Sequence, residues 1–232
     1  VSHSKLIVAL DFAQPAQALS LIEQLSPQHC ALKIGSELFT RSGPSFVEDT
    51  IGRGFRVFLD LKFHDIPRTV AQACQAAADL GVWMLTVHAA GGKAMLEAAR
   101  EAVDSYGEKR PKVVAVTVLT SLADNDLLVV GVTGTMQQQV ERLAKLTQET
   151  GLDGVVCSAR EISGLKAQCG TQFLAVTPGI RLPGDAVHDQ VRVITPQAAL
   201  AAGSDYLVMG RSITHAADPA AIVQMLQTDV FK

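Results

Sequence analysis

The sequence predicts a closed (β/α)8 barrel, one domain over residues 1–232, and three observations carry that prediction. Eight short runs rich in β-branched and aliphatic residues alternate with longer stretches of helical period. No Gly/Ser-rich linker interrupts the alternation, and polar residues gather at the C-terminal ends of the runs. Alternating strand and helix signals indicate a parallel sheet with crossover helices. A barrel of this kind typically takes about 250 residues, close to the 232 present. The competing arrangement is an open doubly wound sheet. It would want G-x-G-x-x-G after the first strand, where "ALDFAQPAQ" stands instead.

The first strand is expected at 6–11, followed by the amphipathic "PAQALSLIEQL". The second lies at 30–35 and the third at 56–62, before "PRTVAQACQAAADLG", a helix opening near Pro67. The fourth strand, 84–89, leads into "KAMLEAAREAVDSYG", and the fifth spans 112–120. "TMQQQVERLAKLTQETG" precedes the sixth strand at 154–158; the seventh and eighth are expected at 173–179 and 206–210, with a helix at "TPQAALAAG" between them. A local echo runs through the chain in "GVWMLTVHA", "GLDGVVCSA" and "GSDYLVMGR". In each, a glycine suits the left-handed position that ends a helix before the next strand begins.

Composition narrows the function classes. Apolar residues make up 48% of the chain, enough for a substantial core, and the formal net charge is −3, so no basic field points to a nucleic acid partner. Cys30, Cys74, Cys157 and Cys169 are scattered without a C-x-x-C pair and read as free thiols of a reducing compartment. The first apolar run, Leu6 to Leu10, stops at Asp11 and is too short for a signal-peptide core or a membrane span. These features lead us to expect a soluble cytoplasmic protein with no membrane partner.

Against that background "FLDLKFHDIP", residues 58–67, is anomalous: an otherwise core-like segment carries Asp60, Lys62 and Asp65. An unpaired charge taken out of water is costly, so three need a reason. Residues two apart share a face of a strand. Phe58, Asp60 and Lys62 therefore lie opposite the aliphatic Val57, Leu59 and Leu61, which should face the helices. The same reading groups Ile7, Ala9 and Asp11; Ala31 and Lys33; Met84, Thr86 and His88; and Val116, Val118 and Thr120. Asp11, Lys33, Asp60, Lys62, His88 and Thr120 would then ring the C-terminal mouth, where barrel enzymes place their chemistry. Singly, each has a bland reading. Asp11 or Asp65 would cap a helix, Lys33 would snorkel, and His88, with no second histidine at ligand spacing, would be a hydrogen-bonded residue of the mouth. Together they fit better as an interleaved array in which each charge offsets its neighbours.

A second chemistry follows the last two strands. "TPGIRLPGD" supplies Gly179 and Arg181, and "VMGRSITHA" supplies Gly210 and Arg211. Loops after strands seven and eight are the usual phosphate site of this fold. There, glycines admit backbone N–H groups to the phosphate and arginine offers a planar pair of donors. Residues 181–194 form a long polar loop suited to a lid, with Gln190 placed to reach over a bound phosphate.

"FLDLKFHDIPRTV", with Asp60, Lys62 and Asp65 as D-x-K-x-x-D, resembles the signature of the orotidine 5′-phosphate decarboxylase family, in its bacterial form. "IVALDF" at 7–12, "LKIGSELF" at 32–39, "TVLTS" at 117–121, "VTPGIRLPGDAVHDQVRV" at 176–193 and "VMGRSIT" at 208–214 extend the resemblance over essentially the whole chain. The resemblance implies decarboxylation of orotidine 5′-monophosphate to uridine 5′-monophosphate, the last step of de novo pyrimidine biosynthesis, without cofactor or metal. It makes Lys62 the proton donor to C6, sets Asp60 beside the substrate carboxylate, and has Lys33 hold Asp60 and the ribose, which Asp11 also binds. Thr120 would contact the pyrimidine, while Arg181, Gln190, Gly210 and Arg211 would hold the phosphate or its lid. Asp65, Ile66 and Thr69 would come from a partner subunit, so that a homodimer shares its sites. Related barrels with the same D-x-K-x-x-D pattern use magnesium on sugar phosphates, and Glu37 is the one further acid in the sequence that such a site would draw on.

Overall fold

The computed structural model describes residues 4–183, 185 and 194–231. Among them the strands β1 (Leu6–Ala9), β2 (Ala31–Gly35), β3 (Val57–Phe63), β4 (Met84–His88), β5 (Lys112–Val116), β6 (Gly154–Val156), β7 (Leu174–Thr177) and β8 (Tyr206–Met209) are arranged in sequence order as a closed parallel barrel. β1 pairs with both β2 and β8, Ile7 lying opposite Ala31 on one side and Val208 on the other. The helices are α1 (Pro15–Ile22), α2 (Ser36–Gly52), α3 (Pro67–Asp79), α4 (Lys93–Asp104), α5 (Asp124–Val129), α6 (Met136–Glu149), α7 (Ile162–Cys169), α8 (Pro196–Ala201), α9 (Arg211–Thr214) and α10 (Pro219–Asp229). None of the described helices is long and apolar enough to cross a membrane.

Strand alternation sorts the core into two compartments. Ile7, Ala9, Ala31, Phe58, Met84, Val114, Val176 and Val208 form a cluster inside the barrel. Their neighbours Leu6, Val8, Leu32, Val57, Leu59, Leu85 and Val113 belong to the larger core between strands and helices. The helices present apolar residues at the spacing of one face, Val70, Cys74, Ala77 and Ala78 on α3 and Met95, Leu96, Ala99 and Val103 on α4. Proline opens α1, α3, α8 and α10, where its missing N–H costs nothing. Thr135 and Gln138 close a reciprocal capping box at the start of α6. The echoed glycines do adopt left-handed backbone, with φ of 80° at Gly81, 75° at Gly151 and 106° at Gly203, each just before its strand.

At the N-terminal end of the barrel, Arg56, Trp83 and Tyr206 pack against one another. The Arg56 guanidinium lies 4.3 Å over the Trp83 ring, which meets Tyr206 edge-on with centroids 5.0 Å apart. Two aspartates in the echo serve as latches. Asp153 takes both terminal nitrogens of Arg110 (2.8 and 2.7 Å) and the N–H of Val113 (2.8 Å). Asp205 accepts from Lys166 Nζ and from the N–H of Ala175, each at 2.7 Å. Burial pushes the Asp153 carboxyl up, but Arg110 and the Val113 N–H outweigh it and hold the carboxyl below its ordinary value.

All eight strands occur where the sequence predicts them, but several are shorter at the C-terminal end. β5 stops at Val116 instead of residue 120, β6 at Val156 and β7 at Thr177. The chain leaves the ladder there because the residues that follow, Val118, Thr120 and Gly179 among them, turn to line the mouth. β3 differs in a second way. Leu59 pairs with Leu85 and Phe63 with Val87, so four steps along β3 match two along β4. This bulge centres on Lys62, whose φ of 54° is the one positive value outside glycine among the described residues.

Candidate active site

A cavity of about 510 Å³ opens at the C-terminal mouth. Asp11 (just after β1), Lys33 (β2), Asp60 and Lys62 (β3) line one side. Thr120 follows β5, and Gly179, Arg181, Gly210 and Arg211 supply the wall after β7 and β8. These are the positions that the alternation and the two Gly/Arg segments single out.

The charged residues form a continuous chain. Lys33 Nζ is 2.8 Å from Asp11 Oδ1 and 3.7 Å from Asp60 Oδ2, and Lys62 Nζ is 2.9 Å from the same Asp60 oxygen. The Lys33 and Asp60 side chains retain only 11% and 13% of their exposure, whereas Asp11 keeps 66%. Opposite charges thus alternate from the rim to the floor, so neither buried residue is left unpaired. Neither aspartate caps a helix. Asp11 pairs with Lys33, and Asp65 accepts from the adjacent N–H of Ile66 (2.6 Å), while Ile66 itself holds the position before Pro67 that starts α3, with no side-chain cap.

Thr86, fully buried behind the lining, was not singled out from the sequence, although it shares a face with Met84. Its hydroxyl accepts from the Lys62 N–H (2.9 Å) and donates to Asp60 Oδ1 (3.1 Å). A signal was present: a hydroxyl on the inward face of the strand beside Asp60. Thr214 and His215, one turn beyond Arg211, also line the cavity. His88 does not line it, contrary to the ring expected of the mouth. Its imidazole turns to His64, with ring centroids 5.4 Å apart. Burial first, then the charges of His64 and Lys62, lower its pKa against an opposing pull from Asp60.

On the wall after β7 and β8, Arg181 donates through its side chain to the carbonyl of Ile180 (2.9 Å) and through its backbone to Ile194 (3.0 Å). Gly210 stands immediately before α9, and a side chain there would come within 3.7 Å of Ala9. Asp185 accepts from the Leu182 N–H (2.9 Å) and from the Ser212 hydroxyl, tying the segment after β7 to α9. Gln190, expected in the lid, lies outside the described residues.

Asp65, Ile66 and Thr69 are not brought into this cavity. They belong to an exposed run, residues 64–69, in which Ile66 keeps 66% of its surface. Among the described residues no three His, Cys, Asp or Glu side chains are grouped to hold a metal ion. Glu37, the further acid considered for one, lies in the first turn of α2 and pairs with Arg41 at 3.3 Å.

The profile described as "Orotidine 5′-phosphate decarboxylase / HUMPS family" matches residues 4–226. The chain belongs to this family. An orotidine 5′-phosphate decarboxylase of Legionella pneumophila (strain Lens) is 57% identical over 226 residues, 97% of this chain and 99% of that protein. One from Chromobacterium violaceum is 58% identical over 227 residues, 98% of this chain and 92% of its own. The crystal structure of orotidine 5′-phosphate decarboxylase from Lactobacillus acidophilus superposes with a TM-score of 0.88 at 37% identity and covers 100% of both chains. An uncharacterized conserved protein from Geobacillus kaustophilus gives 0.83 at 41% identity over 96% of this chain and 98% of its own.

Proposed function

We propose that this protein is a carboxy-lyase that converts orotidine 5′-monophosphate to uridine 5′-monophosphate, the last step of de novo pyrimidine biosynthesis, with Lys62 as proton donor. The observation that carries the reading is the alternating ion chain Asp11–Lys33–Asp60–Lys62, set across one cavity from Arg181 and Arg211. Relatives at 57% and 58% identity bearing the decarboxylase name support the same substrate.

In this reading Arg181, Gly210 and Arg211 hold the phosphate, Gln190 covers it, and Thr120 meets the pyrimidine. Asp11 and Lys33 hold the ribose. Asp60 then faces the substrate carboxylate, with the Lys62 ammonium beside C6. The bond from C6 to the carboxylate breaks, carbon dioxide leaves, and the electron pair stays on C6. The Lys62 ammonium stabilises that charge as it develops and transfers a proton to form the C6–H bond; the resulting amine regains a proton from solvent. Binding energy from the distant phosphate helps assemble a set of charges that is expensive to bring together. No cofactor enters these steps.

The same reading makes the working unit a homodimer, with Asp65, Ile66 and Thr69 of each copy completing the site of the other. Their exposure and their absence from the lining of their own chain's cavity support this. A cytoplasmic location fits four free, buried cysteines.

The test is the ultraviolet absorbance of orotidine 5′-monophosphate mixed with the purified protein in excess chelator. Loss of the orotate chromophore is expected. An unchanged spectrum, with turnover of a ketose phosphate on adding magnesium, would move the protein to the metal-using branch and overturn the role given to Asp60.

A further inference from the structure

We propose that Thr86 is a positioning residue of the reaction. Its hydroxyl sets the plane of the Asp60 carboxylate and holds the backbone from which Lys62 reaches C6. The inference rests on the functional reading above and adds to it a residue that never touches substrate.

Thr86 lies on the inward face of β4 and is fully buried. The Lys62 N–H can only donate, so at 2.9 Å it takes a lone pair of the Thr86 oxygen. The single hydroxyl proton is then left for Asp60 Oδ1, at 3.1 Å. Asp60 is thereby gripped on both oxygens: Thr86 holds Oδ1, while Lys62 and Lys33 share Oδ2 at 2.9 and 3.7 Å. A carboxylate held on one oxygen alone would be free to turn about its last bond, and the Lys62 ammonium would follow it.

The other bond answers a need created by the bulge. The ladder between β3 and β4 is interrupted between Leu59 and Phe63, which leaves the Lys62 N–H without a regular strand partner. A buried N–H must be satisfied, and the Thr86 hydroxyl stands in for the missing carbonyl. It supports the one left-handed residue outside glycine among those described. A β-branched side chain, stiff at χ1, suits the task because it places its oxygen with little freedom. One hydroxyl therefore couples the conformation of Lys62 to the orientation of the carboxylate it pairs with.

The experiment compares Thr86→Val, nearly isosteric but without the hydroxyl, with Thr86→Ser, which keeps it, in steady-state kinetics on orotidine 5′-monophosphate and in binding of uridine 5′-monophosphate. Thr86→Val should lower kcat on the order of 100-fold, the scale expected when reacting groups are displaced slightly. KM and nucleotide affinity should stay within about threefold, because the phosphate contacts remain. Thr86→Ser should recover most of kcat. If Thr86→Val does not fold, Thr86→Ala takes its place in the same comparison. A folded variant without the hydroxyl but with wild-type kcat, or a serine variant as impaired as valine, would overturn the role of Thr86. Absence of turnover by the wild-type chain would overturn the functional reading itself, so the two failures are distinct.

Discussion

Lys62 carries a φ of 54°, and a pair of substitutions there separates its backbone from its chemistry. Lys62→Ala and Lys62→Gly both remove the ammonium and its 2.9 Å contact with Asp60. In both, Asp60 keeps Lys33 at 3.7 Å and Thr86 at 3.1 Å, so the ion-pair loss cancels in the comparison. What remains is the Cβ. A left-handed conformation costs an L-residue about 1–2 kcal/mol, whereas glycine in a strand ordinarily loses about 0.5–1 kcal/mol to chain entropy. The balance leaves glycine more stable than alanine by about 0.5–1 kcal/mol, a reversal of the usual order. For a chain of this length that is a melting temperature about 1–4 °C higher. Calorimetry or urea unfolding of the two variants reads the difference, and turnover should be lost in both. An alanine variant as stable as the glycine one, or more so, would refute the claim that strain is stored at Lys62.

Further outcomes follow from other parts of the site. Arg211→Ala should weaken orotidine 5′-monophosphate strongly and orotidine, which lacks the phosphate, hardly at all; equal losses on both would remove the phosphate assignment. Inactive Asp65→Asn and Lys62→Ala chains, mixed under conditions that exchange subunits, should regain activity, since one site of the heterodimer would carry both native residues. No recovery despite demonstrated exchange would argue against shared sites. His88 gives a pH dependence. Its folded pKa lies below the ordinary value of about 6.5, so the unfolded chain takes up a proton that the fold resists. Unfolding free energy should therefore fall as pH drops below about 6.5 and level off beneath the lowered folded value. His88→Asn should flatten that part of the profile, and an unchanged profile would show that another group is responsible.

The barrel was legible because its alternation is strict where it matters. Val57 and Leu59 against Phe58, or Leu6 and Val8 against Ile7, separate the two cores as a period of two requires. Strand ends were less legible. Val118 and Cys157 stay apolar and buried beyond the last ladder pairing, so composition does not mark where β5 and β6 stop. The polar mouth could be read from Asp11, Lys33, Asp60 and Lys62 because a charge in an apolar strand must have a partner. Thr86 escaped notice because threonine is an ordinary strand residue, and only the neighbouring bulge makes its hydroxyl necessary. That bulge left no trace in composition, since the position that bends is occupied by a lysine, not a glycine. His88 falls on the expected face, yet it turns toward His64, a contact across the β3–α3 loop that strand periodicity does not describe.

The most direct test of the account is Lys62→Ala, assayed for turnover of orotidine 5′-monophosphate and, in parallel, for binding of uridine 5′-monophosphate. With Arg181, Arg211 and Thr120 intact on the other walls of the cavity, nucleotide binding should remain measurable while decarboxylation falls to background. Turnover near the wild-type rate would contradict the assignment of Lys62 as the proton donor, and with it the reason for placing these charges in the strand.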